Sequence, residues 1–162
     1  MNKMDIYNYL HQHSIWHEIT EHEAVYDMAE LAGVTLPYPD VVAKNIFVRD
    51  DKKQKFYLIT VKGDKRVDLK EFRQKYNTRA LSFASEKYLL DIMELTPGSV
   101  TPFGILNDKS HRVKFFLDKD FFNTTSLIGI HPNENTATVW LKANDLVDAI
   151  KAHGSDVEII DI

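Results

Sequence analysis

Three places in the sequence carry groups suited to chemistry: Lys44, the loop from Pro97 to Gly104, and His131. On a strand of period two, Lys44 shares a face with Val42, Ile46 and Val48, so a single ammonium group stands among apolar neighbours. Burying that charge requires a partner, and a ligand anion would serve. An edge or bulge that lets the long stem reach water accounts for it equally well. Asn45 projects to the opposite face with Ala43, Phe47 and Arg49, where it needs hydrogen-bond partners from a site or from backbone.

The loop Pro97-Gly98-Ser99-Val100-Thr101-Pro102-Phe103-Gly104 combines residues that free the backbone with residues that fix it. A rigid loop of this kind can present N–H groups to a developing oxyanion, or can simply be a turn. It lacks the G-K-[ST] ending of a Walker loop and the spacing of a dinucleotide fingerprint. His131 stands between the apolar run Leu127-Ile128-Gly129-Ile130 and Pro132, at the end of an expected strand. Side chains commonly reach into sites from such ends, and imidazole exchanges protons near neutral pH. A satisfied structural histidine is the plain alternative.

Other chemistries are weaker or excluded. The chain has no cysteine, which removes disulfides, thiol nucleophiles and thiolate metal sites. His11, His13, His17 and His22 straddle a helix end, a loop and a strand without an H-E-x-x-H arrangement, so no metal is expected. Serine, histidine and aspartate are all present, but there is no G-x-S-x-G nucleophile elbow.

The elements that must position these groups follow from periodicity and punctuation. The spacing predicts helices over Met4–Leu10, Asp27–Leu31, Asp68–Tyr76, Ser85–Met93 and Asn144–His153, the last stopped by Gly154. Strands are predicted at Ile15–Ile19, Val113–Leu117, Ser126–Ile130, Ala137–Leu141 and Val157–Ile160. Val41–Val48 and Lys55–Val61, separated by a polar stretch, form an expected antiparallel hairpin. The segments Leu36–Asp40 and Thr96–Gly104 are expected loops. Several strands follow one another by short turns, so the class is α+β: one domain over 1–162, with a mixed, mostly antiparallel sheet or partly closed barrel surrounded by helices.

The chain has 162 residues, 44% hydrophobic and 27% charged, enough for one sizeable core. A net charge of −4 does not suit a protein that coats nucleic acid. The distribution is uneven, however: Lys62 to Arg79 holds seven basic residues against three acidic ones. That strip could follow a phosphate backbone, or be a solvated helix face with pairs such as Asp68 and the cations from Lys70 to Arg73. No signal peptide or membrane span is visible, which implies a soluble cytoplasmic protein.

An ordered set of segments resembles the YbaK-like family of aminoacyl-tRNA deacylases, and within it the freestanding members similar to the editing domain inserted in bacterial prolyl-tRNA synthetase. The segments are Glu21–Tyr26, Lys44-Asn45-Ile46-Phe47-Val48-Arg49-Asp50, Val67–Lys70, Leu81–Ser85, Pro97–Asn107, and Gly129-Ile130-His131-Pro132 with Asn135 and Thr136. Members often carry proline at the position of Glu23 and glycine at that of Glu94. The resemblance implies hydrolysis of the ester joining a wrong amino acid to the tRNA 3′-adenosine, with alanine on proline tRNA as the expected substrate and cysteine or serine as alternatives. A non-catalytic module of the same fold that binds tRNA or synthetase is the other alternative.

By that resemblance Lys44, Gly98 and His131 are the catalytic set. Lys44 would hold a terminal phosphate or the polar end of the substrate. The loop residues Gly98, Ser99, Val100, Thr101 and Pro102 would pack the adenosine and offer N–H groups near the carbonyl. His131 would orient the aminoacyl group with Asn45 in support, while Met28 and Leu31 would line the amino-acid pocket or form ordinary core. The attacking water would be activated partly by the substrate's own ribose hydroxyl. No cofactor is implied; mischarged tRNA is the partner, with prolyl-tRNA synthetase or an elongation factor as a candidate protein partner.

Overall fold

A computed structural model describes residues 1–123 and 125–162. Its elements, in chain order, begin with α1 (Lys3–Gln12), β1 (His17–Glu21) and α2 (Met28–Leu31). Next come β2 (Ala43–Asp50), β3 (Phe56–Lys62), α3 (Leu69–Tyr76), β4 (Leu81–Phe83) and α4 (Glu86–Tyr88). The chain closes with β5 (Val113–Asp118), β6 (Leu127–Ile130), β7 (Ala137–Lys142), α5 (Ala143–His153) and β8 (Val157–Ile160).

The class is α+β, but the strands divide into two sheets. One has the order β1-β7-β6, the other β4-β2-β3-β5-β8. Pairing is antiparallel except for β3 with β5 and β5 with β8. Within the expected mixed, mostly antiparallel α+β class the strands form two sheets, not a closed barrel, that abut at an isolated parallel bridge between Val42 and Gly129. Gly129 leaves room at this junction for an aromatic ring. It sits opposite Trp140 in the β6–β7 register, and a Cβ there would fall 2.2 Å from Trp140 Cζ3. The indole lies where a side chain would be, and its Nε1 donates to Thr20 Oγ1 at 3.0 Å on β1.

Three apolar clusters hold the layers together. The largest joins the inner faces of both sheets with Ile6 and Leu10 of α1 and Leu146 and Ile150 of α5. A second packs Val48, Ile59 and Phe116 against Phe72 of α3. The third gathers Val25, Leu31, Val41, Val42, Leu127 and Trp140 where the sheets meet. Burial of such side chains supplies most of the driving force, about 1.5–3 kcal/mol for each large one.

Caps explain several boundaries. Asn2 and Asp5 form a reciprocal capping box on α1. Asp68 accepts from the Lys70 and Glu71 N–H groups at the start of α3. The pairing of Asp68 with nearby cations, one reading of the basic strip, is replaced by this cap. Gly154 ends α5 in the left-handed conformation.

Four local expectations shift. The first strand lies at His17–Glu21, two residues later than its apolar residues suggest, because Ile15 packs on the main core instead. Pro39 does not only break helix: it opens a 3-10 turn over Pro39–Val41, a first position that proline tolerates. The Ser85–Met93 helix is α4 followed by a π-helical turn at Leu89–Met93, closed by Glu94 with φ 55°. Glycine is the residue for which this conformation costs least. The 3-10 turn Pro102–Asn107 follows the expected loop.

Gly129→Ala is expected to destabilise the fold by about 1–3 kcal/mol, the usual cost of overpacking. Chemical denaturation checks this. A neutral result would mean that the Trp140 ring is not locked in place.

Candidate functional site

The two sheets diverge from the Val42–Gly129 junction and leave a cavity of about 290 Å³ between them. Lys44 and Asn45 of β2 line it, as do Gly98 and Val100 of the glycine–proline loop, His131 after β6, and Met28 and Leu31 of α2. The three groups singled out first in the sequence thus share one hollow. Ser99, Thr101 and Pro102 are buried in the same loop but do not line the cavity.

Each group is held by a traceable set of bonds. Lys44 lies at the open edge of β2, since β4 pairs only with Val48–Asp50 further along. Its Nζ has one long contact, 3.5 Å to the Lys65 carbonyl, and no carboxylate partner among the described residues. Asn45 ties β2 to the loop: its Nδ2 donates to the Val100 carbonyl at 3.3 Å and its Oδ1 accepts from Thr60 Oγ1 at 2.6 Å.

Gly98 has φ 88°, in the left-handed region, and a Cβ there would come within 2.8 Å of Tyr26 Cδ1. Any other residue would strain the backbone and displace the Tyr26 ring. Ser99 N–H donates to the Thr96 carbonyl, which closes the turn. Among the described residues the Gly98 and Val100 N–H groups have no protein acceptor. Thr101 works from behind the wall, donating its hydroxyl to the His131 carbonyl at 2.6 Å.

His131 Nδ1 donates to the Ala137 carbonyl at 2.8 Å, which fixes the neutral tautomer with the lone pair on Nε2. Burial holds the imidazole below its ordinary value, the Ala137 hydrogen bond opposes this, and the nearby His22 adds to the lowering. The two rings meet edge-on at 6.1 Å. His22 is itself fixed by the Glu23 carbonyl and by Thr138 Oγ1, and Thr138 lines the cavity.

The α2 wall is anchored at its entrance. Val25 exchanges hydrogen bonds with Asn135, which follows His131 in the chain: Val25 N–H donates to the Asn135 backbone carbonyl and Asn135 Nδ2 to the Val25 carbonyl. Asp27 caps the helix through the Glu30 N–H, so one of its carboxylate oxygens is already engaged. Met28 rests against Gly63, while Leu31 is both cavity wall and part of the third core cluster.

Sequence reading gave Tyr26 and Thr138 no role in the site and weighed His22 only as a metal ligand. Tyr26 is 66% exposed at the rim, and an exposed tyrosine seated on a glycine is recognisable only once the loop and α2 are adjacent. Among the described residues no group of three or more His, Asp or Glu side chains is placed to hold a metal ion. No helix of the described residues is long and apolar enough to cross a membrane.

If burial depresses His131, stability should fall as the pH drops from about 6.5, because the unfolded chain then takes up a proton that the folded chain resists. His131→Gln should flatten this acid slope between pH 7 and 5, measured by denaturant midpoints. Parallel slopes for the two proteins would place the histidine in solvent.

Residues 22–149 match the family of the aminoacyl-tRNA editing domain. The prolyl-tRNA editing protein ProX of Acetoanaerobium sticklandii is 38% identical over 144 residues, spanning 89% of this chain and 87% of the relative. The prolyl-tRNA synthetase associated domain-containing protein 1 of Xenopus laevis is 29% identical over 161 residues, 98% and 95% of the two chains. A solved structure described as a candidate trans-editing enzyme for prolyl tRNA synthetase superposes with a TM-score of 0.69 at 17% identity, covering 99% of this chain and 96% of that one. That likeness concerns the fold, which the two share end to end. Family match and close relative agree: the chain belongs to the aminoacyl-tRNA editing domain family.

Proposed function

We propose that this protein is a trans-editing deacylase that hydrolyses the ester linking alanine to the 3′-terminal adenosine of proline tRNA. The observation that carries the reading is the convergence of Lys44, the Gly98–Val100 backbone and His131 on one small cavity with an apolar end wall. The family and the 38% identical editing protein support it. The whole chain acts as one editing domain in the cytoplasm, on mischarged tRNA released by the synthetase or carried by an elongation factor.

The chemistry asks little of the protein, because the ester is already activated. Water adds to the ester carbonyl, the tetrahedral intermediate collapses, and the ribose oxygen leaves with a proton. The Gly98 and Val100 N–H groups are available to the carbonyl oxygen as negative charge develops on it. Lys44 meets the phosphate of the adenosine. His131, neutral and with Nε2 free, accepts from the α-ammonium group and so orients the aminoacyl end. The neighbouring ribose hydroxyl activates the water; among the described residues Asp27 is the one carboxylate that lines the cavity, and it caps α2.

Editing is needed because a pocket for proline cannot exclude the smaller alanine by binding energy alone. Here the size filter is reversed. Met28, Leu31, Val25 and Val42 close the end of the cavity around a small side chain.

Two measurements test the reading on a panel of tRNAs charged with alanine, serine, cysteine and proline. Lys44→Ala should lower kcat/KM on alanyl-tRNA by roughly thirty- to hundred-fold, the scale of losing one hydrogen bond to a charged group, with the fold intact by circular dichroism. A folded variant with full activity would remove Lys44 from the site, and a wild-type rate no faster than buffer would favour a tRNA-binding module. Met28→Ala should raise the rate on prolyl-tRNA relative to alanyl-tRNA by about ten-fold, as expected for unfilled apolar space. An unchanged profile would make Met28 ordinary core.

A further inference from the structure

A second hollow of about 320 Å³ adjoins the first and shares Lys44 with it. Ile46, Val67 and Phe83 supply its apolar surface, and Arg66 its second cation. Phe83 sits on the short edge strand β4 and is 66% exposed, a large ring left in water beside a charged cleft. Isolated exposed apolar residues are common, but this one lies next to free cations and next to the site.

The cations of the basic strip divide into two groups. Lys65 is held by Asp118 and Asp120, Lys75 by the Asp161 carbonyl, and Arg79 by Asp51. Arg66 has no ion-pair or hydrogen-bond partner among the described residues; Asp68, which also lines the hollow, caps α3 through Oδ1. An unpaired guanidinium, an exposed ring and a lysine shared with the neighbouring cavity together match one repeating unit of single-stranded nucleic acid: a phosphate and a base face.

We propose that the second hollow binds the nucleotide that precedes the terminal adenosine, its base stacked on Phe83 and its phosphate on Arg66. Lys44, at the boundary, then meets the phosphodiester that joins the two nucleotides. The inference rests on the deacylase reading for the identity of the strand. Stacking on one ring is tolerant of base identity, so the hollow supplies affinity and register rather than sequence discrimination.

The test compares wild type, Phe83→Ala and Arg66→Ala on two substrates, alanyl-tRNA(Pro) and alanyl-adenosine, the second of which ends before the hollow. Each substitution should raise KM about ten-fold on the tRNA, within the range of one base–aromatic stack or phosphate contact, and the penalty should be confined to that substrate. Arg66→Ala should also lower the slope of log(kcat/KM) against log salt by about 0.7, the value for one phosphate contact on a single strand. Equal losses on both substrates, or none on the tRNA, would overturn the assignment. Titration with the uncharged trinucleotide CCA separates the two ideas. Binding that weakens in Phe83→Ala without any hydrolysis by wild type would leave the hollow standing and remove the deacylase reading; binding indifferent to Phe83 and Arg66 would do the reverse.

Discussion

The contact between Val42 and Gly129 is the constraint on which the site depends. Two sheets that merged along a full edge would fill the space between them with hydrogen-bonded backbone. Here they are joined at an isolated bridge, and Trp140 covers the glycine at that point. From that hinge-like junction β2 carries Lys44 and Asn45 along one wall, and β6 delivers His131 to the other. The loop bearing Gly98 closes the third side through Asn45 and Thr101, one bond to each sheet.

The electrostatics of the cavity follow from the same arrangement. A cation and a second ionisable base in one small hollow would repel if both were charged. Burial keeps the imidazole neutral, and the Ala137 carbonyl fixes which nitrogen bears its proton. Lys44 is left as the cation of the lining, at an open strand edge where water or a phosphate can meet it. Positive charge is thus offered from one wall of the hollow and a lone pair from the other.

Much of this was legible in the sequence, for identifiable reasons. Period-two alternation set Lys44 apart from Ile46 and Val48, and the β2–β3 pair and the α5 stop at Gly154 obey strong local rules. The division into two sheets was not legible, because it turns on which strands pair with which rather than on any pattern along one strand. Strand β4 was missed as well: three residues, two of them exposed, carry no alternation. Ser99, Thr101 and Pro102 were read with the cavity-lining residues because they share a loop with Gly98. Only the fold shows that Thr101 faces the His131 backbone instead.

The four-residue helix α2 contributes the apolar end wall and none of the groups that meet the reacting ester. It is attached by a cap, a pair of bonds to Asn135 and a few apolar contacts. Under the proposed function, substrate choice and hydrolytic competence have separate addresses in the chain. A lineage could exchange Met28 or Leu31 and acquire a new amino-acid preference while the machinery on β2 and after β6 stays as inherited, so members with the same reactive residues need not share a substrate.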